Sequence, residues 1–113
     1  MTRILVITDE LLGANLAGPA LRAQAIADVL SAEHEVSLRS TQGTLDRRNG
    51  DGDGDLHRAS KPIGPVDVGD GSPLERPELE SLDAWADVIV FCGFVLTRYP
   101  WLRNTETLLV ADL

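Results

Sequence analysis

Lysine occurs once in this chain, as Lys61, and ten basic residues in all face eighteen acidic ones, for a formal net charge of −8. Beyond Arg47-Arg48 there is no basic run. Proteins bind DNA and RNA largely by exchanging counterions for Lys and Arg, and docking on anionic lipid draws on clustered cations. Neither nucleic acid nor an anionic membrane surface is an expected partner. Cysteine also occurs once, as Cys92, which rules out an internal disulfide and fits a reducing compartment. Long hydrophobic runs are missing too. The apolar run at residues 4–7 is shorter than the roughly seven or more residues of a secretory h-region. The longest apolar stretch, 88–96, falls well short of the roughly 20 residues that span a bilayer. A soluble, cytoplasmic chain is predicted. Aromatic residues make up only 4% against 43% hydrophobic, so the core must come from Leu, Val, Ile and Ala. That composition favours an α/β layer fold, whose buried parallel strands are aliphatic. The 113 residues suffice for one domain.

Residues 3–8 form a branched aliphatic run stopped by Asp9-Glu10, and read as a strand buried on both faces. After a loop at 11–18, Pro19 occupies the first turn of a helix, where its missing N–H costs nothing. Leu21, Ala25, Ile26, Val29 and Leu30 recur at helical spacing, predicting a helix from 19 to about 32 with Arg22 and Asp28 off its apolar stripe. Val36 and Leu38 alternate with Ser37 and Arg39 as a second strand. The segment at about 42–71 is crowded with Gly, Asp, Asn, Arg and Pro and reads mostly as flexible loop, with a short strand at 66–68. Leu79, Leu82 and Ala86 mark a helix ending near Trp85. Residues 87–92 read as a buried strand closed by a turn at Gly93, and 95–103 as a short helix interrupted by Pro100. A last aliphatic strand covers 107–111. Both of its faces are apolar, which predicts exposed apolar surface around 108–113 and further chain beyond it.

The loop after the first strand fails two phosphate-binding patterns. Gly13 and Gly18 have the spacing of a P-loop, but Pro19-Ala20 stand where its lysine and hydroxyl belong. Two glycines with four residues between them also miss the G-x-G-x-x-G dinucleotide fingerprint. What remains is a helix N-terminus at the carboxyl edge of a parallel sheet, whose backbone N–H groups can hold an anion without a motif. Gly13 and Gly18 either contact ligand there or merely permit the turn.

The run DELLGANLAGPALRAQAIADVLSAEHEVSL, residues 9–38, resembles the start of retaining GT-B glycosyltransferases, the large family with many bacterial mannosyl- and glucosyltransferases. Members open with a strand, a glycine loop, a helix of RAxxLAxxL type and then GHEV. Here Glu33 replaces that last glycine. ADVIVFCGFVL and LLVADL resemble the family's fourth and fifth strands. The likeness covers residues 3–40 and 86–113 and leaves the middle unmatched. It implies a truncated Rossmann-like N-terminal domain that holds the acceptor, while a missing C-terminal domain holds the nucleotide-sugar donor. The family's paired glutamates and phosphate-gripping Arg/Lys belong to that second domain, so this chain alone is expected to be inactive. In several relatives a histidine just past the fifth strand assists chemistry, and the nearest residue here is Asp112. His34 and His57 are misplaced for that role. The resemblance points to Gly13, Gly18, Arg22 and Gly93 as substrate-side residues and Asp112 as the catalytic candidate, with no metal and no cofactor. Two alternatives stay open: a stand-alone, non-catalytic flavodoxin-like binding module, and a gene fragment without function.

Other chemistry-bearing residues read as structural. Asp51, Asp53 and Asp55 suggest a calcium loop, but neither register places both the glycine and the bidentate Glu of an EF-hand. Asp9-Glu10 suggest a phospho-receiver, yet Lys61 lies in the loop-rich middle. Asp9 then caps its strand end or touches the cleft. Cys92 reads as a small core residue, and Trp85 and Trp101 as packing residues. Arg22 either reaches toward the cleft or lies solvated.

Overall fold

The computed structural model describes residues 2–10, 12, 18–43 and 66–112. Five strands, β1 (Arg3–Thr8), β2 (Glu35–Ser40), β3 (Val66–Asp67), β4 (Val88–Cys92) and β5 (Leu108–Asp112), form one sheet in the order β3-β2-β1-β4-β5. Every pairing is parallel, with Ile4 opposite both Val36 and Val88, and Val88 opposite Leu108. The expected α/β, Rossmann-like parallel sheet is therefore present. Its strand order follows the Rossmann order 3-2-1-4-5-6 through five strands, whereas flavodoxins run 2-1-3-4-5.

Among the described residues three helices, α1 (Gly18–Leu30), α2 (Arg76–Trp85) and α3 (Val95–Arg98), cover the sheet together with a 3-10 turn at Pro100–Asn104. Strand addition reverses direction after β3. Because parallel crossovers share one hand, the helices after the reversal fall on the other face. Ala23 and Ala27 of α1 pack with Ile4, Val6, Val36, Leu38 and Cys92 on one side. Leu79 of α2, Val95 of α3 and Leu102 pack with Leu5, Ile7 and Ile89 on the other. Consecutive β1 residues thus feed opposite cores, as an inner strand requires. Each fully buried Leu or Ile in these layers contributes about 1.5–3 kcal/mol relative to exposure. Trp85 and Trp101 pack against the second core, as expected for structural aromatics.

Three sequence expectations need correction. The buried face of α1 is only partly the predicted stripe: Ile26 and Leu30 pack on the first core, but Leu21 is 56% and Val29 74% exposed while Ala23 and Ala27 are fully buried. This helix is apolar most of the way round, so periodicity cannot select a face. The small side chains at 23 and 27 let its backbone lie close to the sheet. Second, β2 does not alternate: Ser37 and Arg39 are buried with Val36 and Leu38. The charge on Arg39 is tolerated because its guanidinium makes four hydrogen bonds, two of them to carboxylates. It donates to Glu78 at 3.0 Å, to the Asp67 carboxylate at 3.0 Å and to the Asp67 and Leu38 carbonyls at 2.7 and 3.1 Å. Burial opposes the charge of Asp67, but the Gly69 N–H and Arg39 outweigh it and hold that carboxyl below its usual range. Third, Asp9 does not cap its strand; its carboxylate serves the neighbouring elements described below.

The last strand does leave one apolar face open. Leu108 and Val110, two residues apart on the same side, are exposed. The elements expected at 87–92 and 95–103 form as β4, α3 and the 3-10 turn, with the interruption before Pro100. Gly13, Arg47, Arg48, His57, Lys61 and the Asp51–Asp55 loop lie outside the described residues.

Candidate functional site at the carboxyl edge of the sheet

All five strands end on the same edge, and strand addition changes direction between β1 and β4. In open α/β sheets the ligand crevice lies outside the carboxyl ends at such a switch point. Here Asp9 and Glu10 leave β1, and Gly93 and Phe94 leave β4. Gly93 has φ +75, and a Cβ added there would lie 3.2 Å from the Asp9 Cβ. Glycine is needed both for the left-handed turn and for this close approach.

Asp9 is the hub. Its Oδ1 accepts the Thr41 hydroxyl at 2.5 Å and the Arg98 Nε at 3.1 Å, while its carbonyl accepts the Gln42 side-chain amide at 2.8 Å. Ser40 fixes the next residue by donating its hydroxyl to the Glu10 carbonyl at 2.6 Å. Leu12 donates its N–H to the Gly43 carbonyl at 3.0 Å and sinks its side chain into the first core. The segments leaving β1 and β2 are thereby laced together, and Asp9 is held from two sides, by the segment after β2 and by α3.

A second pair spans the neighbouring strand end. Arg22 of α1 donates to both carboxylate oxygens of Asp112, at 2.6 and 2.8 Å. Hydrogen bonding from Arg22, ahead of its charge, keeps the Asp112 carboxyl below the usual carboxylate range. Asp112 is therefore an anion at neutral pH with both oxygens engaged, an arrangement suited to positioning α1 rather than to delivering a proton. Cys92 lies beneath it, its thiol 3.7 Å from the carboxylate. Burial first, and the Asp112 charge second, push that thiol up to about 11, so it is no nucleophile at neutral pH.

The residues singled out in the sequence thus meet different fates. Arg22 and Asp112 are brought together at the end of β5, with the Arg22 side chain still largely in water. Gly93 comes together with Asp9 instead. Gly18 opens α1 on the same edge. Thr41, Gln42, Phe94 and Arg98 carry no motif and were not anticipated; only their place just after β2 and β4 could have marked them. Among the described residues no group of His, Cys, Asp and Glu is arranged to hold a metal ion, and no helix is long and apolar enough to cross a membrane.

An open groove of about 680 Å³ lies elsewhere, along the amino end of β2, with His34, Glu35, Asp67 and Trp85 in its walls. The topology argues for the other edge. The chemistry available at the carboxyl edge is recognition: two arginines, two carboxylates, a hydroxyl and an amide lie along the strand ends. Comparison with family models, curated proteins and solved structures finds no match to this chain.

Proposed function

We propose that this chain is the acceptor-side, Rossmann-like domain of a GT-B retaining glycosyltransferase. In the intact enzyme a sugar moves from a nucleotide-sugar donor, held by a second C-terminal domain, to an acceptor held at the carboxyl edge of this sheet. The observation that carries the reading is the convergence of Asp9, Gly93 and Arg98 at the β1/β4 switch point, on the segments whose sequence resembles that family. The Asp9, Thr41 and Gln42 network supplies preorganised polar groups of the kind a hydroxyl-rich acceptor needs. Exposed Leu108 and Val110 accord with further protein packing on β5. By this reading the chain alone does not turn over substrate.

A second reading, a stand-alone binding module, draws on the Arg22–Asp112 pair, which ties the last described strand back to the first helix. The encoding DNA separates the two. A frame that continues past codon 113 into a second βαβ domain with a Glu-x₇-Glu pair, and a product that transfers sugar from UDP-glucose or GDP-mannose, is the expected result. A stop codon directly after Leu113 sinks the enzyme reading and leaves the module.

A further inference from the structure

The residues just past β4 at this edge narrow the ligand beyond "acceptor". Phe94 follows β4 across the single turn residue Gly93 and is 74% exposed, belonging to neither core. An aromatic ring in water at a sheet's switch point has no packing role to account for it. Arg98 lies one turn further on: its N–H donates to the Phe94 carbonyl at 3.1 Å, as does that of Thr97 at 3.0 Å. Residues four apart across one helical turn start from neighbouring positions on the same side, with Cβ atoms about 5–6 Å apart. The Arg98 side chain is half-exposed and anchored through Nε alone, to Asp9. Among the described residues neither of its two terminal nitrogens has a partner. Asp9 is itself fixed by Thr41 and Gln42, so the outer edge of the guanidinium is held in one direction and left unfilled. Arg22, by contrast, has spent its fork on both oxygens of Asp112.

We infer that Phe94 and Arg98 form a two-point recognition element for a sugar-like ring that carries an oxyanion. The ring's C–H face would lie on Phe94, where its apolar area leaves water. The oxyanion would take the two free nitrogens of Arg98, whose planar fork matches phosphate or carboxylate oxygens in a paired geometry. The element sits in a chain of net charge −8, so it recognises a ligand by these two contacts at once and not by long-range attraction. The inference rests on reading this edge as the acceptor side and adds the acceptor's chemical class.

The test uses the 113-residue chain, labelled with 15N, and backbone and Arg Nε shifts during titration with four probes. These are glucose 6-phosphate, glucuronate, methyl glucoside and inorganic phosphate. Glucose 6-phosphate or glucuronate is expected to move residues 93–99 and Asp9 and to bind about tenfold more tightly than methyl glucoside or phosphate. The better of the two identifies phosphate or carboxylate as the oxyanion. Arg98→Gln is expected to erase the advantage of the charged sugar over methyl glucoside, with partial recovery in Arg98→Lys. Phe94→Ala is expected to weaken both sugars alike and leave phosphate unchanged. Shifts confined to other residues, no shift with any probe, or variants that bind as the parent chain does would each overturn the inference. Because binding is read without turnover, its failure leaves sugar transfer standing, and a failed transfer assay leaves the binding result standing.

Discussion

Arg22 and Asp112, 90 residues apart in the chain, face each other in a two-bond fork at 2.6 and 2.8 Å that joins the start of α1 to the end of β5. The pair is half in water: the arginine side chain is 63% exposed and the aspartate 14%. Exposed ion pairs contribute little, yet the bidentate geometry and the sheltered carboxylate give this one a measurable pH signature. The folded-state pKa of Asp112 lies below its ordinary value of 3.8. Its contribution is therefore complete above 3.8 and fades as the pH falls beneath that value, where the unfolded chain takes up the proton first. Urea melts of the parent chain and Asp112→Asn should differ slightly at pH 7 and converge in acid. A gap that persists at low pH would show that the substitution acts through packing.

Cys92 should be a slow thiol. With its pKa pushed up from 9.0 to about 11, alkylation by iodoacetamide should be negligible at pH 8 under native conditions and rise only in strong alkali. The fold should lose stability between those two values, since the unfolded thiol ionises first. Asp112→Asn should lower the midpoint without returning it to 9.0, because burial is the larger cause. Rapid labelling at pH 8 would place the thiol in water.

Gly93→Ala should damage both the fold and the cluster at the carboxyl edge. A left-handed backbone costs a non-glycine residue about 1–2 kcal/mol, and the new Cβ would press on Asp9 at 3.2 Å. Chemical denaturation should report that loss, and amide shifts should move at Asp9, Thr41 and Gln42. A silent substitution would mean that the turn is not left-handed.

Tyr99→Phe tests the second core. The Tyr99 hydroxyl donates to the Leu74 carbonyl, and both residues are buried. Removing the hydroxyl leaves that carbonyl without its partner, which costs about 1–3 kcal/mol. The loss should appear as a lower urea midpoint with an unchanged slope. A change in slope would indicate a looser folded or unfolded state instead.

The sequence alone determined most of the architecture. Runs such as Ile4-Leu5-Val6-Ile7 and Val88-Ile89-Val90 are too continuously aliphatic for anything but inner strands, and Pro19 and Gly93 carry their own backbone geometry wherever they sit. The exposed faces of Leu108 and Val110 followed from an apolar last strand. Tertiary structure decided the rest. Which face of α1 is buried depended on Ala23 and Ala27 meeting the sheet closely, a choice that an all-round apolar helix does not record. The burial of Arg39 depended on Asp67 and Glu78 arriving from distant segments to hydrogen-bond its guanidinium. The cluster at the carboxyl edge exists only because β4 was laid beside β1, bringing Arg98 within 3.1 Å of Asp9 across 89 positions of sequence. Local propensity acts over a few residues, whereas a binding edge is assembled by strand order, and strand order is a property of the whole chain.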